Sequence, residues 1–405
     1  MTASPTLSSL KPNPHWAKLP LFNRKNWSRV RFGDVVQMLK EEVDPVADGV
    51  ERYVAGEHMQ TENVHIRLWG NVGDGYLGPA FIRRFRKGQV LYGSRRTYLK
   101  KVAVADWDGV TANTTFVLET IEGKLLQELL PWLMLSERFT KHSIQESKGS
   151  TNPYINFPDI AKFEFDLPPI EQQRRIAEIL WSVDEAKQAY EKSSQAAALV
   201  RRTRMQEAFS DQNYPTITIR ESGDVQLGRQ RAPKYQTGAF TKPYLRVANV
   251  FDGFIDYSDV LKMDFDKRDF QTYSLSAGDI LLNEGQSREL VGRCAIYDGK
   301  LPECCFQNTL IRYRVGKTVL TDYVFAFFQH CFHTGVFAAI SSQTTSIAHL
   351  GSDRFAKLKI PIPPKREQQK IADAYAEIRK AELATLEHLS RISELQSSIV
   401  NVITS

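Results

Sequence analysis

The feature that most constrains this chain is an internal repeat. Residues 160–177, IAKFEFDLPPIEQQRRIA, are echoed by residues 355–372, FAKLKIPIPPKREQQKIA, so that a Pro-Pro pair and an Ile-Ala pair recur 195 residues later. Upstream, residues 87–91 match residues 277–281 at an offset of 190, which leaves about five extra residues in the second copy, around residues 283–287. Self-similarity at a fixed offset indicates a structural unit that occurs twice. We therefore expect two copies of one fold.

Each copy has the pattern of a mixed domain that ends in a helix. Short β-rich segments bounded by Gly, Asp and Asn, such as residues 102–105 and 310–313, predict strands. Longer apolar segments between the strands, residues 125–139 and 319–332, indicate helices. A Pro-Pro pair then ends each domain, because the residue before a proline is disfavoured in a helix.

The region after each Pro-Pro pair predicts a long helix. No Pro or Gly occurs between Pro169 and Pro215, and none follows Pro364. Apolar residues recur at steps of three and four, most regularly in the second region, which places them on one helical stripe. About 40 residues at roughly 1.5 Å each make a rod of about 60 Å. Two equal rods in one chain most simply pack antiparallel, as a coiled-coil spacer between equivalent domains.

The expected fold class is therefore α+β, with two tandem-repeated mixed α/β domains separated by two long antiparallel coiled-coil helices. The expected boundaries are a polar N-terminal tail at residues 1–25, a first domain at 26–167, a first helix at 168–211, a second domain at 212–362 and a second helix at 363–405.

Composition limits the class of protein. The chain is 42% hydrophobic and 25% charged, which is enough apolar material to build cores. No run of about 18 apolar residues predicts a membrane-spanning helix. The N-terminal residues lack the basic and apolar regions of a secretion signal. We expect a cytoplasmic protein that does not bind a membrane.

The cysteines do not form a metal-binding pattern. Cys294, Cys304, Cys305 and Cys331 contain no C-x-x-C pair. The segment His-Cys-Phe-His at 330–333 lacks a second ligand pair at the spacing of known zinc sites. We expect reduced, packed thiols and no metal site.

Two motifs suggest catalysis but lack the context that it requires. Residues 73–78 fit G-x-G-x-x-G, yet Pro79 follows and no helix is expected to open at the glycines, so a turn is the better interpretation. Residues 152–154, Asn-Pro-Tyr, resemble a shortened Asn-Pro-Pro-Tyr motif of adenine methyltransferases, and they fit a polar loop better. Without a coherent catalytic set, the sequence favours a binding protein rather than an enzyme.

Positive charge is concentrated in one segment. The net charge is only +6, but residues 83–101 hold eight basic side chains and no acidic one, with Phe85, Tyr92 and Tyr98 among them. Basic side chains mixed with aromatic ones are typical of nucleic-acid surfaces, although a solvated surface is the simpler explanation for any single residue. We expect this segment to contact a nucleic-acid backbone.

The repeated helix starts identify a family. Residues 167–177 and 362–372 resemble the conserved regions of type I restriction-modification specificity subunits, in which a PPxxEQ-like segment opens each long helix. Residues 88–91 and 278–281 resemble the strand inside each target recognition domain of that family. The likeness runs from about residue 26 to residue 405, in the order domain, helix, domain, helix. In the second copy the Glu-Gln pair is shifted by one place, so we expect the two helix entries to differ.

The resemblance implies a division of labour. In this family two methyltransferase subunits bind S-adenosylmethionine, motor-nuclease subunits use ATP and Mg²⁺, and the specificity subunit selects the DNA sequence without catalysing a reaction. We therefore expect no cofactor on this chain. The methyltransferase subunits would dock around the long helices, and the expected interface residues are Ile176, Leu180, Val183, Ile371, Tyr375, Ile378, Leu386 and Leu389.

Two unlike recognition domains predict a bipartite, asymmetric target in double-stranded DNA. Phosphate contacts would set position, and polar side chains on loops would read base edges. The candidates in the first domain are Ser94, Arg95, Arg96, Tyr98, Lys100, Lys148, Ser150 and Asn152. Those in the second domain are Arg229, Arg231, Lys234, Asn283, Gln286, Arg288, Gln343, Thr344 and Thr345.

Two alternatives remain open from the sequence. The same architecture would serve the recognition subunit of a related type IIB system, which only the neighbouring subunits could distinguish. A coiled-coil scaffold that binds protein would instead show no salt-dependent DNA binding.

Overall fold

The computed structural model describes residues 22–210, 214–230, 237–343 and 346–404. The chain divides into two compact units. The first unit holds the described residues up to Glu191 together with those from Glu387 onward, and the second unit runs from Lys192 to Leu386. Each unit contains one globular domain and part of both long helices.

The globular domain of the first unit, the first domain, is mixed and is followed by a long helix. Its strands are β1 Ser28–Arg31, β2 Val36–Leu39, β3 Arg52–Val54, β4 Gly70–Asn71, β5 Arg83–Phe85, β6 Val90–Gly93, β7 Val102–Val104, β8 Gly109–Thr111, β9 Thr115–Thr120 and β10 Glu164–Leu167. Its helices are α1 Phe32–Val35, α2 Leu130–Leu135, α3 Glu137–Gln145 and α4 Phe157–Ala161, after which α5 spans Ile170–Ser210.

The globular domain of the second unit, the second domain, repeats this plan. Its strands are β11 Thr216–Thr218, β12 Gly223–Leu227, β13 Thr241–Leu245, β14 Leu261–Asp264, β15 Ile280–Asn283, β16 Gly285–Gln286, β17 Cys294–Ile296, β18 Cys305–Phe306, β19 Leu310–Val315, β20 Ser342–Gln343, β21 Ala348–His349 and β22 Lys359–Pro361. Its helices are α6 Ile219–Ser222, α7 Lys267–Tyr273, α8 Thr321–His333, α9 Val336–Ile340 and α10 Ser352–Lys357, and α11 spans Lys365–Thr404.

The sheets confirm that the domains are copies of one fold. An antiparallel sheet of order β2-β9-β6-β7 in the first domain corresponds to β12-β19-β15-β17 in the second. A second sheet, β4-β3-β8-β5, corresponds to β14-β13-β18, and each contains one parallel pair, β3 with β8 and β13 with β18. The pairs β1-β10 and β11-β22 close each domain just before its long helix.

The central strands β6 and β15 explain why the repeated Gly-x-Val/Ile-Leu segment is apolar throughout. Side chains alternate between the two faces of a strand. Val90 and Tyr92 enter the main core of the first domain, whereas Leu91 enters a second cluster on the other face. Ile280 and Leu281 are divided in the same way. Because both faces are covered, a continuous apolar run is required rather than an alternating one.

The long helices pack antiparallel. In the first unit, Ile176 near the start of α5 shares a core with Ile399 near the end of α11. In the second unit, Met205 near the end of α5 clusters with Tyr375 near the start of α11. The predicted fold class, two mixed domains with two long antiparallel helices, is confirmed.

A buried glutamine anchors the start of α5. The Nε2 group of Gln173 donates to the carbonyl oxygens of Pro168, at 2.8 Å, and of Lys124, at 3.0 Å. Its Oε1 atom accepts from the N–H of Leu126 at 2.9 Å. The amide thus satisfies backbone groups that would otherwise be buried without partners beside the helix start.

The same anchor occurs at the start of α11. Gln368 donates to the carbonyl oxygens of Pro363, at 2.9 Å, and of Thr318, at 3.1 Å, and accepts from the N–H of Leu320 at 2.9 Å. Gln173 and Gln368 lie 195 residues apart in the sequence. The expectation that the helix entries differ was therefore wrong, because the anchoring glutamine keeps its position in both copies, and the shift changes only the residue before it, Gln172 in the first copy and Glu367 in the second.

Other local expectations can be compared with the described residues. Residues 72–75 form turns and bends in which no helix opens, and residues 151–154 lie in a loop, as predicted. All four cysteines are buried, and burial raises the pKa of Cys304 to about 12. Among the described residues no helix is long and apolar enough to cross a membrane.

Candidate nucleic-acid interface

Two separate stretches of the first domain meet at one exposed edge. The backbone of Tyr154 pairs with that of Arg95, just after β6, and with that of Lys148, in the loop after α3. The N–H of Arg96 donates to the carbonyl oxygen of Pro153 at 2.7 Å. We call residues 94–100 and 146–154 the first edge. It unites the basic segment and the polar loop that the sequence analysis singled out separately.

The backbone of the first edge is held in an uncommon conformation. Arg96 has a φ of 50° and Lys100 a φ of 46°, both left-handed, on either side of a single 3-10 turn at Thr97–Leu99. Non-glycine residues in this region carry a cost of roughly 1–2 kcal/mol each. Such strain concentrates at functional sites. Tyr98 lies in the middle of this turn, with 52% of the residue exposed.

The second domain has the same edge in a more regular form. Strand β21 lies between β16 and β20, so that Gly285 and Ser342 both pair with His349. Gln343 and His349 lie 195 residues after Lys148 and Tyr154 of the first edge. We call residues 284–288, 341–343 and 346–349 the second edge. Strand β16 is the counterpart of residues 95–96, because Gly285 pairs with His349 as Arg95 pairs with Tyr154. The prediction that the extra residues lie around 283–287 was therefore wrong, and they fall between β16 and β18.

The exposed side chains of the two edges differ. The first edge presents Arg95, Arg96 and Lys148. The Nζ atom of Lys148 lies 3.0 Å from Asp159, and this hydrogen bond raises the pKa of the lysine and lowers the pKa of the carboxyl group. Ser150, Asn152 and Tyr154 add exposed polar and aromatic groups.

The second edge carries more hydrogen-bonding side chains and less positive charge. Arg288 and Gln343 are exposed, and the guanidinium of Arg288 lies 3.5 Å from the Oε1 atom of Gln343. Gln286 is half-buried, and His349 is paired with Glu284 at 3.1 Å. Arginine and glutamine can each make paired hydrogen bonds to one base edge. The two edges therefore offer unlike surfaces on one backbone frame.

Several predicted DNA-binding residues lie elsewhere in the structure. Ser94 is buried, and its Oγ atom donates to the carbonyl oxygen of Thr114 at 2.6 Å. Asn283 is fully buried at the end of β15. Both side chains face the interior and are not exposed at either edge.

Besides Lys148, two more of the predicted basic residues have acidic partners. Lys100 lies at the end of the first edge, with its Nζ atom 2.5 Å from Glu62. Arg229 pairs with Asp269 at 2.6 Å, next to the sheet of β13 and β14 rather than at the second edge. Arg231, Lys234, Thr344 and Thr345 lie outside the described residues.

The basic segment 83–101 is not one continuous positive surface. Arg83 in β5 pairs with Glu42 at 2.8 Å, and Arg86 pairs with Glu41 at 2.9 Å. Arg84 lies 4.0 Å from the same Glu41. The two glutamates thus offset part of the positive charge in this half of the segment, whereas Arg95 and Arg96 of the first edge form no ion pair among the described residues.

The predicted subunit-interface residues separate into two groups. Ile176, Leu180 and Tyr375 are buried in the cores of their own units, and Ile371 and Ile378 are partly buried. Val183 lines a groove of about 380 Å³ in the first unit, together with Glu178, Ile179, Ser182, Ala186, Ile392 and Leu395. Leu386 is 48% exposed and Leu389 is partly buried.

The sequence analysis missed the central residue of each edge. Tyr154 and His349 each pair with both neighbouring segments, and Ala348 does so as well. Their common offset of 195 residues was a usable signal, but a single tyrosine and a single histidine in polar loops carry no pattern of their own.

Comparisons with known proteins agree with this architecture. A family model described as the type I restriction modification DNA specificity domain matches residues 24–199 and 226–393. The EcoKI specificity subunit of Escherichia coli K12 is 25% identical over 309 residues, which is 69% of this chain and 66% of that protein. The MjaVIII specificity subunit of Methanocaldococcus jannaschii is 21% identical over 438 residues, covering 94% of this chain and 92% of that protein. The putative MjaX specificity subunit of the same organism is 29% identical over 132 residues, covering 32% of this chain and only 31% of that protein.

Solved structures share the fold. The type I restriction-modification S subunit from M. genitalium has a TM-score of 0.60 at 13% identity, covering 96% of this chain and 98% of that one. A chain from a structure of a type I restriction-modification system, determined to explain complex assembly and conformational transition, has a TM-score of 0.58 at 18% identity, covering 94% and 98%. With two matched copies of the domain that together span most of the sequence, this chain belongs to the type I restriction-modification DNA specificity family.

Proposed function

We propose that this chain is the subunit that recognises the DNA sequence for a type I restriction-modification complex. The observation that carries the proposal is the pair of equivalent edges, which share a backbone frame and differ in their exposed side chains. Two copies of one reader with unlike side chains would read two unlike half-sites. The target is therefore a split, asymmetric sequence in double-stranded DNA.

The two edges would use different chemistry. At the first edge the exposed Arg95, Arg96 and Lys148 favour phosphate oxygens, which supply affinity and position. At the second edge Gln286, Gln343 and Arg288 carry amide and guanidinium groups suited to adenine and guanine edges in the major groove. Loops carried on a rigid sheet are a common arrangement for such contacts.

The chain has a selecting role and no catalytic role in this proposal. S-adenosylmethionine is bound by two methyltransferase subunits, and ATP and Mg²⁺ by motor-nuclease subunits. The match to a specificity domain over both halves of the sequence supports this division.

Equivalent apolar positions on the helices support two copies of the methyltransferase partner. Ile179, Val183, Ile392 and Leu395 line the groove of the first unit. The positions related to them by the 195-residue offset are Ala374, Ile378, Ala197 and Val200 in the second unit, of which Val200 is 50% exposed. A partner that docks on one position can therefore dock on the other.

Methylation mapping tests the proposal directly. The chain would be expressed with its neighbouring methyltransferase subunit in a host without DNA methylation, and modified bases would be sequenced across the genome. We expect one motif of two short, unlike halves around a constant gap. A complex that assembles and binds S-adenosylmethionine but modifies no common motif would contradict the proposal and favour a scaffold.

A further inference from the structure

A polar contact joins the first domain to the long helices. His65 lies in the connection between β3 and β4, and its Nε2 atom donates to the Oδ2 atom of Asp184 in α5 at 2.5 Å. The side chain of Asp184 is only 9% exposed. Gln188 donates to the same oxygen at 2.9 Å. Burial raises the pKa of Asp184, but the hydrogen bonds from His65 and Gln188 outweigh burial and leave the pKa below its usual value.

The second domain makes a contact from the equivalent connection. Asp252 lies between β13 and β14, and its Oδ2 atom accepts from the guanidinium of Arg379 in α11 at 3.0 Å. Arg379 also pairs with Glu382 at 3.1 Å, and Glu382 accepts from the Nε atom of Arg201 in α5 at 3.0 Å. Glu382 and Arg201 are almost fully buried, with 4% and 8% of their side chains exposed.

The two contacts occupy equivalent positions with opposite charge. Arg379 lies 195 residues after Asp184, and Gln396 lies 195 residues after Arg201. The long helix therefore supplies the carboxylate of Asp184 in the first unit and the guanidinium of Arg379 in the second. The domain supplies an imidazole in the first unit and a carboxylate, Asp252, in the second.

We propose that His65 with Asp184, and Asp252 with Arg379, are charge-matched positioning contacts that seat each recognition domain in its working orientation on its own part of the helix pair. Because the polarity is opposite, neither domain could form its contact at the position on the helices that the other domain uses. A carboxylate in place of His65 would face Asp184, and two carboxylates at such short distance in a partly buried site repel strongly. An imidazole in place of Asp252 would deprive Arg379 of one of its two carboxylate partners.

This inference rests on the proposed function, because the orientation of a domain matters only if that domain reads DNA. A misplaced domain would read its half-site at an altered distance from the other half-site. The preference of the complex for one gap length is therefore the property that the contacts control. General loss of folding would instead lower the affinity for all gap lengths together.

Charge conversion of the first contact provides the test. The full chain, assembled with its methyltransferase partner, would carry His65→Asp, Asp184→Arg or both, so that the double variant reproduces the polarity of the second unit. Binding would be measured by fluorescence anisotropy on duplexes with the mapped target and on duplexes with the gap one base pair shorter or longer. Arg67→Asp is a matched control, because its pair with Glu191 at 3.0 Å starts from the same connection but is more exposed, at 39% and 28%.

We expect each single variant to bind the duplex with the native gap about tenfold more weakly, which is the effect of one lost base contact. Each should also discriminate less between gap lengths. The double variant should recover both properties to within about threefold of the wild type. The control should keep the wild-type gap preference. Asp184→Asn, which preserves shape and removes charge, should also weaken the gap preference without loss of assembly.

The inference would be overturned if the folded single variants, or Asp184→Asn, kept the wild-type gap preference. It would also be overturned if the double variant folded but bound the native gap no more tightly than the single variants. A wild-type complex that binds all gap lengths and unrelated duplexes equally would instead refute the proposed function. The two failures are therefore distinguishable.

Discussion

The salt dependence of DNA binding offers a quantitative test of the first edge. Arg95 and Arg96 are exposed, and neither takes part in an ion pair among the residues that the structure describes. On double-stranded DNA each phosphate contact contributes about 0.9 to the slope of log affinity against log salt concentration. Replacing both residues with Ala should reduce the slope by about 1.8.

The magnitude follows from that slope. Between about 50 mM and about 200 mM salt, the ratio of wild-type to variant affinity should shrink by roughly twelvefold. The loss should be nearly uniform across DNA sequences, because phosphate contacts carry no direct sequence information. The assay is a titration of labelled duplex with the assembled complex at four or more salt concentrations.

A matched control comes from the same segment of the chain. Arg84→Ala with Arg86→Ala removes the same charge, but both of these arginines already lie near Glu41, at 4.0 Å and 2.9 Å. The control should leave the slope within about 0.3 of the wild type. An unchanged slope after replacement of Arg95 and Arg96, or an equal change in the control, would refute the assignment of DNA contact to the first edge.

Three further predictions concern stability and reactivity. Gln368→Leu should lower the free energy of unfolding by about 2–4 kcal/mol in urea titrations, because it leaves buried backbone groups without partners; a loss below about 0.5 kcal/mol would contradict that role. Arg201→Met should cost about 3–5 kcal/mol, because it leaves Glu382 buried with an incomplete set of partners, and a neutral result in thermal unfolding would count against the buried pair. Burial raises the pKa of Cys304 and of Cys305 to about 12, so both thiols should stay protonated and react slowly with a thiol reagent at pH 8 until the protein is denatured; rapid reaction in the native state would show that they are accessible.

The architecture could be predicted because its signals repeat. A strand buried on both faces must be apolar throughout, and residues 90–93 and 280–283 are nearly so in both copies. A helix of 40 or 41 residues requires a long stretch without Pro or Gly, and each such stretch begins at a Pro-Pro pair. Agreement between two copies strengthens signals that would be weak in one.

The interface was harder to predict, because exposure depends on contacts between distant segments. Ser94 directly follows β6, and its hydroxyl finds a carbonyl acceptor inside the fold, which hydropathy cannot reveal. Arg83 and Arg86 are paired with Glu42 and Glu41, which lie more than forty residues earlier in the sequence. A count of charges along the chain therefore overestimated the positive surface available to DNA.

The shared core of the first unit has a consequence for biosynthesis. Ile399 and Ile403 pack in one core with residues such as Phe32 and Leu180, so this core is completed only by a segment translated more than two hundred residues after Leu180. The second unit, Lys192–Leu386, is continuous in sequence and can fold as soon as its own residues have left the ribosome. The domain that is translated first would thus mature last, and its exposed apolar surface during that interval would make it the part of the nascent chain most dependent on chaperones.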